Sequence, residues 1–447
     1  MGIAESSSNR RVPPADASAD TVEAFIESAH PIDLAAWLEE LSQEEAWDHL
    51  AALDLPRRAK VFEYLPLTLQ LRLARGMARP ELAGLVTEMD ADDRVDLFNH
   101  FAPGEQQQLM GDLAEEDREE IRRLSAYAEG TAGAIMTTGY VTLDAGMTAR
   151  EAIAALRQAA LANENIDRSY IVDAGQYLIG SIRLHELNMA AGDALIAEIM
   201  DPASISITPD TAQEQAAQTI ERYDLLALPV VDANGRLAGI VTHDDAADAM
   251  QAETTEDFLR ISTVLPFRQS LREAGIGVLY SKRIVWLALL VFGNLFSGAG
   301  IAYFEDTIVA YVSLVFFLPL LIDSSGNAGS QSATLMVRGL ATGDVSLKDW
   351  RDLIGRELLI AGALGATMAL LVFPVGVLRG GSDIAMVVGS TMFVLVIVGS
   401  LVGMSLPFLL SRLRLDPATA SGPLVTTISD GVGVLVYFSI AKLVLSM

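Results

Sequence analysis

The chain has 447 residues, with 31 Lys/Arg, 58 Asp/Glu and no cysteine, and a formal net charge of −27. Without cysteine there is no disulfide, thiolate metal site or cysteine nucleophile, and a surface this acidic repels nucleic-acid phosphate. The charge is also unevenly placed: residues 271–447 hold 11 basic and 11 acidic residues, so the whole acidic excess lies in residues 1–270. An acidic soluble half precedes a neutral, apolar, glycine-rich half, which excludes a single soluble domain.

Residues 1–19 are polar, include Ser6-Ser7-Ser8 and lack the apolar core of a signal peptide, so they read as a disordered tail. Over residues 20–131, prolines at 31, 56, 80 and 103 recur every 23–25 residues. Leucines at helical spacing follow them, such as Leu34, Leu38 and Leu41, or Leu65, Leu69 and Leu73. This period predicts stacked helical hairpins, an all-α superhelical N domain.

A second repeat covers 132–197 and 198–251. Thr148-Ala-Arg-Glu151 and Thr211-Ala-Gln-Glu214 both read as capping boxes. Each leads to an apolar strand ending in Val-Asp-Ala (Tyr170–Ala174, Pro229–Ala233) and then a second strand through Gly180 or Gly239, with Asn234-Gly235 as a hairpin turn. Ala134-Ile135-Met136 and Glu198-Ile199-Met200 open the two copies. This pattern resembles a tandem pair of cystathionine-β-synthase (CBS) domains, an α/β fold. In that family, Gly-h-x-Thr/Ser-x-x-Asp holds an adenosine ribose and phosphate. The second copy, Gly239-Ile-Val-Thr242-His-Asp-Asp245, matches, which implies ATP or a similar nucleotide at Thr242 and Asp245. The first copy departs from the pattern at Arg183.

Thr254-x-x-Asp257 predicts a new helix, running to about Gly275, in a connecting segment 252–278. The remaining residues, 279–447, contain five apolar stretches near 284–304, 308–337, 353–378, 384–410 and 417–443, each long enough for a bilayer core of about 30 Å. Bases collect before the first span (Arg268, Arg272, Lys282, Arg283), in the second loop (Arg338, Lys348, Arg351, Arg356) and in the fourth (Arg412, Arg414). The positive-inside rule then places the N-terminus in the cytoplasm and the C-terminus outside.

Three groups of residues point to chemistry. Asp430, 14 residues after Asp416, falls near the middle of the last span, where an ionisable group marks an ion or proton path. In Pro319-Leu-Leu-Ile-Asp323-Ser-Ser-Gly326-Asn327-Ala-Gly329-Ser-Gln331, one proline and two glycines predict broken backbone lining a water-filled cavity. Asp323, Asn327 and freed carbonyls such as that of Gly326 are hard oxygen donors, suited to Mg²⁺ or Ca²⁺ rather than soft metals. Acid clusters form the third group: Asp90, Asp92, Asp93 and Asp96; Asp244, Asp245 and Asp248; Glu253, Glu256 and Asp257. Like charges at i, i+4 weaken a helix, and bridging divalent cations would remove that repulsion. The five histidines, at 30, 49, 100, 185 and 243, have no ligand spacing and read as surface or capping residues.

The order of helical repeat, CBS pair, connecting helix and five spans, with Gly-Asn-x-Gly-x-Gln-Ser-Ala-Thr from Gly326 and Asp416-Pro-Ala…Ser-Gly-Pro-Leu-Val-Thr-Thr-x-x-Asp430, resembles the MgtE family of magnesium channels over nearly the whole chain. The resemblance implies a non-enzymatic, Mg²⁺-selective channel of the bacterial inner membrane, working in magnesium uptake and homeostasis. It implies a homodimer in the lipid bilayer with a central pore at Asp430. Mg²⁺ is both permeant and regulatory ion, closing the pore through cytosolic acids that correspond to Asp90, Asp93, Asp96, Asp244, Asp245, Asp248, Glu253, Glu256, Asp257 and Asp416. Two departures stand out: Ser325 where a glycine is expected, and the extra carboxylate of Asp323. The residues leave two rivals open: a secondary transporter coupling divalent cations to H⁺ or Na⁺, and a non-transporting receptor that reports adenylate state through the CBS pair.

Overall fold

The computed structural model describes residues 13, 18–159, 165–267 and 274–445. It divides into two compact units, Met1–Gln251 and Ala252–Met447. Most of the expected tail, together with Arg268, Arg272 and Met447, lies outside the described residues.

Among the described residues, the first unit opens with nine helices: α1 (Ala19–Ser28), α2 (Pro31–Glu39), α3 (Gln43–Ala51), α4 (Leu55–Glu63), α5 (Leu67–Gly76), α6 (Arg79–Glu88), α7 (Ala91–Asn99), α8 (Pro103–Asp112) and α9 (Glu115–Leu124). Each has 9 or 10 residues, below the roughly 12–15 at which an isolated helix becomes stable in water. Packing therefore has to hold them. Helices α2, α4, α6 and α8 stack in one layer, and α3, α5, α7 and α9 in the other. The four repeating prolines each open a helix of the first layer, where a missing N–H costs nothing. Leu34, Leu38, Leu69, Leu73 and Leu85 face the shared core. The fourth residue of four helices also clamps the turn before it. Arg58 donates to the Ala51 and Leu53 carbonyls, Gln70 to those of Phe62, Glu63 and Leu65, Arg94 to those of Thr87 and Met89, and Gln106 to that of Phe98. These bonds satisfy the carbonyls that a helix C-terminus leaves without partners.

The CBS pair follows. In the first copy, β1 (Tyr140–Asp144) pairs parallel with β2 (Asn165–Val172), which pairs antiparallel with β3 (Leu178–Arg183). Helix α10 (Ala149–Ala159) links β1 to β2. The short helices α11 (Leu184–Met189) and α12 (Ile196–Ile199) lead to the second copy, where α13 (Gln213–Arg222) precedes the antiparallel pair β4 (Ala227–Val231) and β5 (Leu237–Thr242). The repeated Val-Asp-Ala has a local cause. Asp173 Oδ1 accepts from the Gly175 and Tyr177 amides, and Asp232 Oδ1 from those of Asn234 and Arg236, each forming the hairpin turn.

The two expected capping boxes have different outcomes. Thr148 and Glu151 form their capping box, with Thr148 N to Glu151 Oε2 at 2.8 Å. The second box does not form: α13 is capped at Ala212, and the Thr211 hydroxyl bonds instead to that of Thr208. The two opening segments also pack on the opposite copy. Thr137 bridges to Ile240 and Asp201 to Ser181, seating Met136 over Gly239 and Met200 over Gly180. A Cβ on either glycine would lie within 2.8 Å of the methionine sulfur. The glycines recur because a side chain from the other copy fills their place.

The helix expected to begin at Thr254 is part of α14 (His243–Ile261), a single 19-residue helix. It ends before Thr263, at φ 56, and Pro266 forbids its resumption there. The capping pattern at Thr254 lies inside good helix-forming sequence, so no break is needed.

In the second unit follow α15 (Ile276–Tyr303), α16 (Glu305–Ala310), a 3-10 turn Val312–Phe316, α17 (Leu318–Ala341), α18 (Trp350–Arg412), a 3-10 turn Pro417–Thr419 and α19 (Gly422–Val444). Among the described residues, four of these segments are long and apolar enough to cross a membrane, against five expected spans. The difference lies in α18. Its 63 residues would reach about 95 Å if straight, roughly three times the hydrocarbon thickness. It is not straight: Gly381 has φ 79 and ψ −174. A Cβ on Gly365 would meet the Phe393 carbonyl at 2.8 Å, and one on Gly376 the Ala385 Cα at 2.7 Å. The two arms therefore run antiparallel as a hairpin.

The expected break at Pro319–Gln331 is absent. Helix α17 continues through it, with Pro319 in its first turn. The interruption falls earlier, at Tyr311–Phe317. Gly326 and Gly329 instead allow close approach: a Cβ on Gly326 would meet Thr426 Cγ2 at 2.8 Å, and one on Gly329 the Gly399 carbonyl at 2.7 Å. Small residues play this part in membrane helix packing. Ser325, the departure noted above, is buried and donates to the Leu395 carbonyl at 2.9 Å. A Cβ on Gly403 would overlap the Gly329 carbonyl. Gly403→Val is therefore expected to destabilise the detergent-purified protein by about 1–3 kcal/mol, the usual cost of overpacking. A melting temperature equal to wild type would show that α17 and α18 can separate freely.

Candidate functional site

The largest gathering of carboxylates in the first unit starts at the end of α4. Oxygens of Glu63, Asp90 and Asp93 lie within 4.8 Å of one another. The Asp90 amide donates to Glu63 Oε1 at 2.7 Å. Lys60 Nζ sits 2.8 Å from Asp90 and 3.6 Å from Glu63, so it faces two of the three carboxylates. Asp92 and Asp93 lie in the first turn of α7, and Asp244 and Asp245 in the first turn of α14. Helix N-termini favour acids, which explains their presence but not the burial of Asp92, Asp93 and Asp245.

Burial sets their proton affinities. It pushes Glu63 up to about 7, against the pull of the Asp90 amide and Lys60. Asp93 rises to about 8 through burial and then through Glu63, Asp90, Asp245 and Asp96. Asp92 also lies well above the carboxylate range, from burial, Asp245 and Asp93. Asp245 rises to about 6 although it accepts a hydrogen bond from Thr242. The mutual effects of Asp92, Asp93 and Asp245 place acids of α7 against those of α14. Asp96, Asp244 and Asp248 are exposed at the edges of this group, and burial with Asp244 raises Asp248. Glu63 escaped the sequence reading because no acidic run marks it; it joins the cluster only through the stacking of α4 beside α7's leading turn.

The later acids assemble separately, in the second unit. Arg260 bonds to both Glu256 and Asp416. Asp416 also caps the following 3-10 turn, accepting from the Ala418 amide at 2.8 Å. Asp257 is raised to about 6 by burial, then by Asp416 and Glu253. The end of α14 is thereby joined to the turn that leads into α19, and Ile261 packs with Val337, Ala418 and Ala420. Arg260 was not singled out from sequence, where one base among many acids carries no signal.

On α17 and α19, Asp323 and Asn327 lie one turn apart and exposed, with Asn327 Nδ2 donating to Asp323 at 3.0 Å. Asp430 is half-buried, within electrostatic reach of Asp323. Among the described residues, the neighbouring hydroxyls do not bond it: Thr426 donates to the Pro423 carbonyl, and Ser429 Oγ has no partner. Gly326 lies on the packed side of α17, where a continuous helix directs its carbonyl along the axis.

A polar cavity of about 240 Å³ occurs in the CBS pair, and neither Thr242 nor Asp245 lines it. It lies by Arg183 and Glu186, the place in the first copy that departs from the nucleotide pattern. Arg168, Tyr170, Ser204 and Tyr223 contribute to its walls. Tyr170 Oη and Ser204 Oγ are buried without partners. Of the histidines, His30 caps α2 and His100 caps the end of α7.

Three family profiles match the chain. The MgtE intracellular N domain covers residues 29–130, CBS domains cover 132–192 and 196–252, and MgtE, described as a divalent cation transporter, covers 318–440. The magnesium transporter MgtE of Thermus thermophilus is 37% identical over 94% of this chain and 94% of its own length. That of Bacillus subtilis is 30% identical over 93% of this chain and 92% of its own. The solved soluble part of a magnesium transporter is 32% identical, covering 52% of this chain and 92% of that one, with a TM-score of 0.50. A second solved cytosolic domain, of the Mg²⁺ channel MgtE in complex with ATP, is 34% identical with a TM-score of 0.49. With its helical N domain, CBS pair and multi-pass helical membrane unit, this chain belongs to the MgtE family of magnesium transporters, which are not enzymes.

Proposed function

We propose that the protein is a Mg²⁺-selective channel of the bacterial inner membrane, a homodimer with cytoplasmic N-terminus and external C-terminus. Asp430, Asp323 and Asn327 line its pore. Cytosolic Mg²⁺ closes it by binding Glu63, Asp90 and Asp93 with Asp92 and Asp245 opposite, and by acting on Asp96, Asp244 and Asp248. Glu253, Glu256, Asp257 and Asp416 carry the same response at the end of α14. The observation that carries this reading is the set of three carboxylates within 4.8 Å, two of which, Glu63 and Asp93, burial makes costly to ionise without a cation. Hard oxygen donors with charge to spare suit a partly hydrated Mg²⁺. When Mg²⁺ falls, like charges on α7 and α14 repel, and the closed arrangement loses its advantage.

Planar-bilayer recording tests it. Current should reverse at the Mg²⁺ Nernst potential and be shut by cytosolic Mg²⁺ on the order of 10⁻³ M. A reversal that follows a H⁺ or Na⁺ gradient instead would establish coupled transport.

The CBS cavity supports a nucleotide there rather than at Thr242 and Asp245. Two arginines, two tyrosines and two unpartnered buried hydroxyls fit the phosphate, base and ribose of ATP. Tyr223→Ala is expected to weaken ATP binding by about 5- to 150-fold, since one stacked base is worth about 1–3 kcal/mol. Loss of binding on Thr242→Ala but not Tyr223→Ala, measured by calorimetry, would return the site to the second copy.

A further inference from the structure

The membrane unit has a second cavity, of about 640 Å³, which the transport reading does not use. It lies between the residues leading into α18, the last turns of that helix, and α19. Val402, Leu406, Phe408 and Ile428 form an apolar wall, with Ser405 the one hydroxyl. Trp350, 39% exposed, and the exposed Arg412 also line it, with Leu347 and Leu409. Arg412 is its sole charged group, and among the described residues no carboxylate lies within ion-pair distance of it.

The volume is that of a ligand site rather than a packing defect. Its chemistry is amphipathic in one direction: a long apolar hollow, an indole of the kind that sits at membrane interfaces, and one uncompensated guanidinium. A soluble anion would gain nothing from the hollow, and a neutral hydrocarbon nothing from Arg412. The cavity also lies at the base-rich end of the unit, near Lys348, Arg351 and Arg414. A bilayer supplies amphiphiles with this shape and charge, most of them anionic phospholipids.

We propose that this cavity holds an anionic phospholipid, its acyl chain along Val402, Leu406 and Ile428 and its headgroup phosphate at Arg412. The lipid would touch α19 at Ile428, two residues before Asp430. It would also touch Leu406, which packs in the cluster of Val337, Ala418 and Ala420. The site thus joins lipid charge to the helix that carries Asp430. This binding site stands whether or not the channel reading does.

The test is tryptophan quenching in the full-length protein, reconstituted with lipids brominated on their tails. Trp286→Phe removes the tryptophan of α15, and Trp37 and Trp47 belong to the N domain, which leaves Trp350 as the reporter. Brominated phosphatidylglycerol should quench it with about fivefold selectivity over brominated phosphatidylcholine, the worth of one arginine beside an anionic lipid. Arg412→Gln should abolish the selectivity, Arg412→Lys should keep part of it, and Val402→Phe should weaken quenching by both lipids by filling the hollow. Equal quenching by the two lipids, or selectivity that survives Arg412→Gln, would overturn the proposal. Trp350 untouched by either lipid would also overturn it, and would show the face covered by a second copy of the chain.

Discussion

Asp430→Ala is expected to reduce Mg²⁺ flux to the level of protein-free liposomes while leaving the protein folded. The carboxylate lies half-buried on α19, and among the described residues neither Ser429 nor Thr426 bonds to it. Removing it therefore breaks no hydrogen bond that holds the helices together. Its environment makes a lone charge expensive, and such a group persists where a cation passes. Asp430→Asn keeps the shape and removes the charge, so it should fail as Ala does. Asp323→Ala leaves Asn327 in place on an exposed face and should alter selectivity among divalent ions more than it lowers total flux. Mg²⁺ uptake by proteoliposomes, with monodispersity checked by gel filtration, measures all three. Wild-type flux from a monodisperse Asp430→Asn protein would remove the carboxylate from the path.

Without Mg²⁺, the association of α7 with α14 is expected to weaken as pH rises from about 5 to 8, and millimolar Mg²⁺ should abolish that dependence. The sign follows from the direction of the shifts. Glu63, Asp93 and Asp245 have pKa values raised to about 7, 8 and 6, above the values near 4 of an open or unfolded chain. Stability linked to such groups is complete below the unfolded pKa and lost as pH climbs through the folded values. For Glu63, whose side chain is 6% exposed, the shift corresponds to roughly 3 kcal/mol against ionisation. A bound Mg²⁺ reverses the preference, because the ionised form becomes the ligand. Asp93→Asn imitates the protonated state, so it should protect the first unit from proteolysis at pH 8 without Mg²⁺ and flatten the Mg²⁺ response. Monovalent salt at 0.15 M, with a Debye length of about 8 Å, should not replace Mg²⁺. A flat pH profile in EDTA, or an Asp93→Asn protein with the wild-type Mg²⁺ midpoint, would mean these acids only coat a solvated surface.

Much of this was legible in the sequence because it depends on local rules. Prolines every 23–25 residues mark the start of alternate helices, and the Leu spacing places their buried faces, because a proline fits a first helical turn and a helix repeats every 3.6 residues. Val-Asp-Ala recurs because the same aspartate closes both hairpin turns. The apolar stretches were countable because a bilayer fixes their length. The tertiary structure decided whatever depends on which surfaces meet. It joined Glu63, from α4, to acids 27 and more residues later, since only the stacking of the repeats sets that distance. It exchanged Met136 and Met200 between the CBS copies, which no local pattern records because each glycine it explains lies in the other copy. It also kept α17 unbroken where Pro319, Gly326 and Gly329 suggested a break. In sequence, a glycine that permits a bend looks the same as one that permits close packing, and the neighbours Thr426, Gly399 and Gly403 decided between them.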